Sequence, residues 1–444
     1  MTIMWGFISE EGNMQLKFVF LSLFLFFQSA QAELYIEITE GADSALPIAV
    51  VPFANKGGFA VPYDVSRIVA NDLQRSGDFD TLPTSKMLSL PETFNQVHFR
   101  DWRMLGQSYV LTGQLKYSDY SKKYEVTYEL IDVLSQQRVL GAVLTAGPKG
   151  LRKLAHKISD AVYEEITGVR GVFSTKIAYI TLKQLTKNKR EYKLHVSDAD
   201  GKNDHVLFKS NEPMLSIAWS NDGQHLAYSS FHSGRPAIYI QHVRSGNKRK
   251  VTSFKGINGA PMWSPDDSSL VMTLSKDGNA EIYSFDLSTN KLNRLTNHYG
   301  IDTEASWSPD GKEVVFTSDR SGKPQVYRMN IKDKKPERLT FVGNYNARPR
   351  FSTDGESLYY VHQSNGGFHI AAINMKTEEQ LVLTSKTSLD ESPSLSPNGR
   401  MIIYSTLRGK NSVLAVVSVD GGSKYFLPSS SGDVREPAWS PFLN

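Results

Sequence analysis

Trp307-Ser308-Pro309-Asp310-Gly311 decides the fold, because the pattern recurs at a fixed distance along the chain. Its counterparts are Trp219-Ser220-Asn221-Asp222-Gly223, Trp263-Ser264-Pro265-Asp266-Asp267, Phe351-Ser352-Thr353-Asp354-Gly355, Leu395-Ser396-Pro397-Asn398-Gly399 and Trp439-Ser440-Pro441. Each begins 44 residues after the previous one without an insertion, and four of the six tryptophans occupy the first position. In such a motif Pro presets φ, Asp bonds its own backbone and Gly accepts a positive φ, so each copy reads as a tight turn.

The same period governs the flanking residues. Leu226, Leu270, Val314, Leu358 and Ile402 open apolar runs seven residues after the motif, and Tyr239, Tyr283 and Tyr327 recur in the next run. Further turns fall at Ser233-Gly234, Asp277-Gly278 and Ser321-Gly322. Each unit therefore reads as four short strands, and a unit of this length with four strands is the mark of a propeller blade. The sixth motif stops close to the last residue, so its blade needs strands from elsewhere. Ile177-Ala178-Tyr179-Ile180 resembles Leu226-Ala227-Tyr228-Ser229, which assigns residues 173–210 to that blade and closes the ring. An open β-solenoid is the alternative, but it does not require a split repeat.

Residues 33–168 lack the repeat. Residues 34–39 and 48–53 read as strands, and a helix follows Pro62 with Val65, Ile68, Val69 and Leu73 on one face. Three more strands are expected at 109–116, 124–133 and 138–146. A second helix carries Leu151, Leu154, Ile158, Val162 and Ile166 to Gly168. The expected fold class is thus a small α/β N-terminal domain with a mixed sheet, followed by an all-β six-bladed β-propeller over 169–444.

The first 32 residues have another character. The apolar stretch FVFLSLFLFF at 18–27 follows Lys17 and leads to Ala30-Gln31-Ala32. That pattern describes a secretory signal peptide cleaved between Ala32 and Glu33, and the run is too short to span a bilayer. Glu10 and Glu11 suit an export signal poorly, which makes Met14 the alternative start.

Composition narrows the chemistry. The chain has 50 basic and 46 acidic residues, and its basic clusters are short and scattered, so a nucleic-acid partner is not expected. It has no cysteine, which removes disulfides and thiolate chemistry. Sequence patterns for a catalytic serine elbow, a phosphate-binding loop, a zinc-binding HExxH or a dinucleotide fold are lacking. Asp198, Asp200 and Asp204 imitate a calcium loop, but Lys209 stands at the twelfth position and a β-turn is the better reading. No catalytic residue, metal or cofactor is assigned. Binding is left, at loops that symmetry gathers around one mouth: Asn258-Gly259-Ala260, Asp302-Thr303-Glu304, Asp390-Glu391 and Arg435-Glu436. A hydrolase or lyase using Asp302, Glu304, Asp390 and Glu391 at the channel is the competing reading. A glycan-binding propeller is a third.

The order of export signal, α/β domain and six blades resembles the TolB family of the Tol–Pal system. The resemblance covers residues 33–444 and rests on Pro47-Ile-Ala-Val-Val-Pro-Phe53, Asn258-Gly-Ala-Pro261, Thr303-Glu304, Gly322-Lys-Pro-Gln-Val-Tyr327, Leu389-Asp-Glu391 and Pro437-Ala-Trp-Ser-Pro441. It implies a non-enzymatic, monomeric periplasmic scaffold that supports outer-membrane integrity and constriction at cell division. It also implies that the lipoprotein Pal binds at Asn258, Gly259, Ala260, Thr303 and Glu304, with the neighbouring Asp302, Asp390 and Glu391 as candidates. Ile257 stands where relatives often carry His. The mature N-terminus, Glu33, Leu34, Tyr35, Ile36 and Glu37 within residues 33–44, matches the segment that engages TolA. Other outer-membrane lipoproteins and porins are further candidate partners.

Overall fold

Strands in this chain are short because turn residues punctuate it every few positions, and the sheets they form are stacked around an axis. The computed structural model describes residues 36–38, 45–385, 387–428 and 432–443. The expected signal peptide and the Ala32–Glu33 cleavage point lie outside these residues, as do Glu33, Leu34 and Tyr35.

Six sheets form the propeller. Blades 1 to 4 are four-stranded antiparallel sheets over residues 214–252, 258–294, 302–338 and 346–382. Blade 5 covers residues 391–426 and carries a fifth strand on its outer edge, Ile36–Ile38, antiparallel to Ser423–Phe426. This corrects the assignment of residues 34–39 to the α/β domain, because the strand completes a propeller sheet far away in sequence. Blade 6 combines Asp433–Trp439 with Lys176–Thr186, Lys189–Asp198 and His205–Ser210. Here Trp439 pairs with Ile177 and Asp433 with Leu182. Ser440 N donates to Lys176 O and Lys176 N to Ser440 Oγ, each at 2.9 Å.

The motif builds both the turns and the blade contacts. In blade 3, Ser308 Oγ donates to Asp310 Oδ1 (2.6 Å) and accepts from Glu313 N (2.9 Å). The same two bonds recur at Ser220, Ser264, Ser352 and Ser396, with Asn398 replacing the aspartate in the last. Asp267 takes the left-handed conformation, φ 57°, that glycine holds in the other turns. The motif tryptophans face the preceding blade. Trp219 Nε1 donates to Ala438 O (3.0 Å) and Trp263 Nε1 to Ala218 O (3.2 Å). These two indoles bury their apolar faces between two sheets and satisfy their polar edges, which a single sheet does not permit, whereas the buried Trp307 Nε1 finds no partner among the described residues.

In the N-terminal domain the sheet order is Phe79–Thr81, Leu46–Val50, Tyr109–Ser118, Lys123–Asp132, Gln137–Ala146, with Ala54–Lys56 also paired to Tyr109–Ser118. Parallel and antiparallel pairs both occur, so the sheet is mixed. Helices Val65–Ser76 and Leu151–Thr167 cover one face through Val69, Leu73, Leu154 and Ile158. Asp64 caps the first helix by accepting from Arg67 N, and Gly77 and Gly168 end the two helices in left-handed conformations. A short helix, Phe99–Met104, not foreseen in the sequence, buries Trp102 against the other face beside Ala49, Val51 and Ile131.

This domain meets the propeller at the end bearing the motif turns. Asn398 Nδ2 donates to Arg170 O (3.1 Å), and Arg170 stacks over Phe442 at 4.1 Å. Arg152 of the long helix pairs with Asp198 and Asp200, in the turn that read as a false calcium loop, and Lys176 also pairs with Asp198. Buried His156 lies 2.6 Å from Asp72, tying the two helices together behind that contact.

Candidate functional site

The innermost strand of each blade breaks its pairing register at one equivalent place: between Leu215 and Ala218, Gly259 and Met262, Thr303 and Ser306, Ala347 and Arg350, Glu391 and Ser394, Arg435 and Ala438. Within each bulge a non-glycine residue adopts positive φ: Ser216 56°, Ala260 48°, Glu304 58°, Arg348 55°, Ser392 56° and Glu436 52°. Six repetitions of a conformation that L-residues disfavour mark a built feature. Bulges turn a side chain out of the strand's alternation, and all six residues line one cavity of about 360 Å³.

Charge closes that ring. Arg348 Nε donates to Glu304 Oε1 (2.6 Å), Nη1 and Nη2 each reach Glu436 Oε1 (3.2 Å), and Nη1 also bonds Ser392 Oγ. Glu436 Oε2 accepts from Ser216 N (3.2 Å), and Glu304 Oε2 lies 3.4 Å from Thr317 Oγ1. Burial alone would lower the Arg348 pKa, but the Glu436 and Glu304 carboxylates outweigh it and hold the group above its ordinary value.

Two residues before each ring position the chain is buried in all six blades, at Met214, Asn258, Asp302, Asn346, Asp390 and Val434. Asn258, Asn346 and Asp390 anchor the preceding loop from inside, and Asp302 instead holds Arg320 in the next turn of its own blade. Asn258 bonds Phe254 N (2.9 Å), Phe254 O (2.8 Å) and Gly256 O (3.2 Å). Asp302 accepts from Arg320 Nη2 (2.6 Å), and burial nonetheless raises its pKa. Asp390 accepts from Thr384 and Thr387 hydroxyls, each at 2.5 Å.

The sequence-selected residues therefore separate into two groups. Gly259, Ala260, Thr303, Glu304 and Glu391 are accessible in whole or in part. Asn258, Asp302 and Asp390 are at most 1% exposed, so a docking partner meets the loops around them rather than their side chains. Thr303 Oγ1 lies 3.2 Å from Thr273 Oγ1 on the neighbouring blade. Ile36 and Glu37 sit in the strand added to blade 5. Arg348 and Arg350 were missed, although the 44-residue period places Arg348 in register with Glu304 and Glu436.

The loops leading into three adjacent blades also expose large apolar side chains: Ile257 (49%), Tyr299 (85%), Ile301 (49%), Phe341 (67%) and Val342 (63%). A monomer seldom leaves such residues together without a partner to cover them.

Among the described residues, one group has metal-ligand spacing, His156, Asp198 and Asp200 at the domain contact. Its carboxylates already accept from Arg152, Lys176 and Asn203, which leaves little for a cation to bind. Three of the four acids of the lyase reading are already engaged, Asp302 with Arg320, Asp390 with Thr384 and Thr387, and Glu304 with Arg348, and Glu391 is exposed.

Comparison with known proteins locates the chain. The TolB beta propeller domain model matches residues 163–443 and the TolB amino-terminal domain model residues 34–139. Over 245 residues the chain is 52% identical to the Tol-Pal system protein TolB of Hahella chejuensis, covering 55% of this chain and 57% of that protein. It is 49% identical over 243 residues to the Tol-Pal system protein TolB of a Marinomonas species, covering 54% and 56% respectively. The chain thus spans little over half the length of these curated relatives in the matched stretch. The crystal structure of TolB from Acinetobacter baumannii superposes with a TM-score of 0.84 at 44% identity, covering 92% of this chain and 100% of that one.

Proposed function

The chain belongs to the TolB family, and from that membership we propose that it is a non-enzymatic periplasmic scaffold of the Tol–Pal system that binds the lipoprotein Pal at the propeller mouth. The family models and the Tol-Pal relatives support the system. The single observation that carries the mouth as the docking face is the exposed apolar arc of Ile257, Tyr299, Ile301, Phe341 and Val342 beside the channel ring. Burying such an arc releases water from several hundred Å² of apolar surface, the ordinary driving force of protein association. Ring and loops are held before a partner arrives, because Asn258, Asn346 and Asp390 hold the loops before them from below and the Arg348 pairs hold the ring. Such preorganisation lowers the ordering cost of binding.

In the same reading, residues 33–44 engage TolA after release from the body of the protein. The pairing of Ile36–Ile38 with Ser423–Phe426 supports a docked resting form, and its three-residue length leaves few bonds to lose on release. A partner that adds its own strand to the released segment exchanges those bonds for new ones. No helix among the described residues is long and apolar enough to cross a membrane.

The experiment is a pull-down of Pal by the purified protein and by a Tyr299→Glu/Phe341→Glu variant with an unchanged melting temperature. Loss of Pal from the variant supports the mouth. Equal capture moves the docking face elsewhere.

A further inference from the structure

One level below the ring, the innermost strands place Ala218, Met262, Ser306, Arg350, Ser394 and Ala438 at equivalent positions. Arg350 is the single charge at that level. It borders the same cavity of about 360 Å³ as Arg348, yet the two arginines differ sharply in their partners. Arg348 takes up both channel carboxylates, Glu304 and Glu436. For Arg350 the one hydrogen bond found among the described residues runs from Nη1 to its own neighbour, Pro349 O (2.8 Å), and no carboxylate forms a salt bridge with it.

A guanidinium carries five donors in a planar fork, and drawing it out of water without a counter-charge is unfavourable. Arg350 is partly exposed to the channel; desolvation is the main influence on the group and pulls its pKa down to about 10, Glu304 and Glu436 raising it and Arg348 adding repulsion without reversing the shift. The cavity wall near it is otherwise neutral, with Trp219, Met262 and Leu395 as apolar surface and Thr353 as a hydroxyl. It also reaches Asn221, Pro397 and Pro441 in the motif turns, at the end of the channel away from the ring. The fork, the missing counter-charge and the apolar wall define what fits.

We propose that the channel is a binding site for a small organic monocarboxylate, held by the Arg350 guanidinium with its apolar part against Met262 and Leu395. A carboxylate matches the guanidinium fork with two parallel hydrogen bonds. A ligand of low charge is favoured, because Arg350 is the one cavity cation without a salt bridge among the described residues, and Glu304 and Glu436 on the same wall repel each further negative charge. The site is separate from the apolar arc used for protein docking, and it is tested without any partner, so its failure leaves that reading standing.

The test uses the full chain and 4-bromobenzoate, whose bromine reports its position. In crystals soaked with the acid, an anomalous bromine peak is expected inside the channel, with the carboxylate on Arg350. The neutral isostere 4-bromobenzamide should leave the channel empty. In solution calorimetry, Arg350→Met should weaken 4-bromobenzoate binding at least tenfold and Arg350→Lys less. An empty channel in the soaked wild-type crystals, equal occupancy by the amide, or undiminished binding by a folded Arg350→Met protein would overturn the proposal. The acid–amide comparison on the wild-type protein decides the matter even where the variant fails to fold.

Discussion

Arg348 of blade 4 and Glu436 of blade 6 meet across the central channel, with Nη1 and Nη2 each 3.2 Å from the same carboxylate oxygen. Together with the Arg348–Glu304 bond, this joins blades 3, 4 and 6 through one side chain. Replacing Arg348 with Met leaves two carboxylates facing each other in a confined space. Because all three groups are only partly buried, the expected loss is about 1–3 kcal/mol, between that of surface and buried pairs. Chemical denaturation should show it, and adding Glu304→Gln and Glu436→Gln should recover part of it. A single Arg348→Met change without effect would mean that the ring carries no stability.

Ring closure has its own signature. Removing residues 437–444 deletes Trp439, whose indole donates to Thr175 Oγ1 (2.8 Å), and the pairing of Ala438 and Trp439 with Ala178 and Ile177. Loss of a buried Trp alone costs about 3–5 kcal/mol, so the melting temperature should fall sharply. An unaltered melting curve would show that blade 6 does not close the ring.

Acid should act on the motif turns. The Ser308 hydroxyl and the Lys312 backbone hold the Asp310 carboxyl down at about 2, and Asp266 and Asp354 are also lowered, first by Ser264 and Ser352. A carboxyl whose folded pKa lies below its unfolded value contributes stability above the unfolded value, and loses it as pH falls through the folded one. The melting temperature is therefore expected to decline from about pH 4 towards about pH 2. Asn substitutions at Asp266, Asp310 and Asp354 together should flatten that decline. A slope unchanged in the triple variant would assign acid sensitivity to other groups.

The blade count, the turn chemistry and the split sixth blade were legible because a fixed 44-residue period carries them, and each depends on local residue types. The channel was less so. Period-two alternation, extended back from Trp307 or from its counterpart Phe351, fails at the bulge that holds Glu304 or Arg348 in a left-handed conformation. The inward direction of these side chains follows from that bulge, which no single residue type announces. Asp302 and Asp390 looked like surface acids because charged residues usually are, yet Arg320 and the Thr384 and Thr387 hydroxyls stabilise them inside. The strand at Ile36–Ile38 was visible as a strand, but its partner at Ser423–Phe426 is a choice of tertiary structure.

Deleting residues 33–44 should abolish TolA binding while leaving Pal binding in place. Surface plasmon resonance with each partner separates the two, and retained TolA binding would remove the N-terminal segment from the account.

The most direct test is calorimetric titration of Pal into the wild-type protein and into Thr303→Arg. Thr303 sits between the buried anchor Asp302 and the ring residue Glu304, where a long cation obstructs the mouth without touching the blade core. The account predicts at least a tenfold loss of affinity with the melting temperature within error of the wild type. Undiminished affinity in the folded variant would contradict the propeller mouth as the partner-binding face.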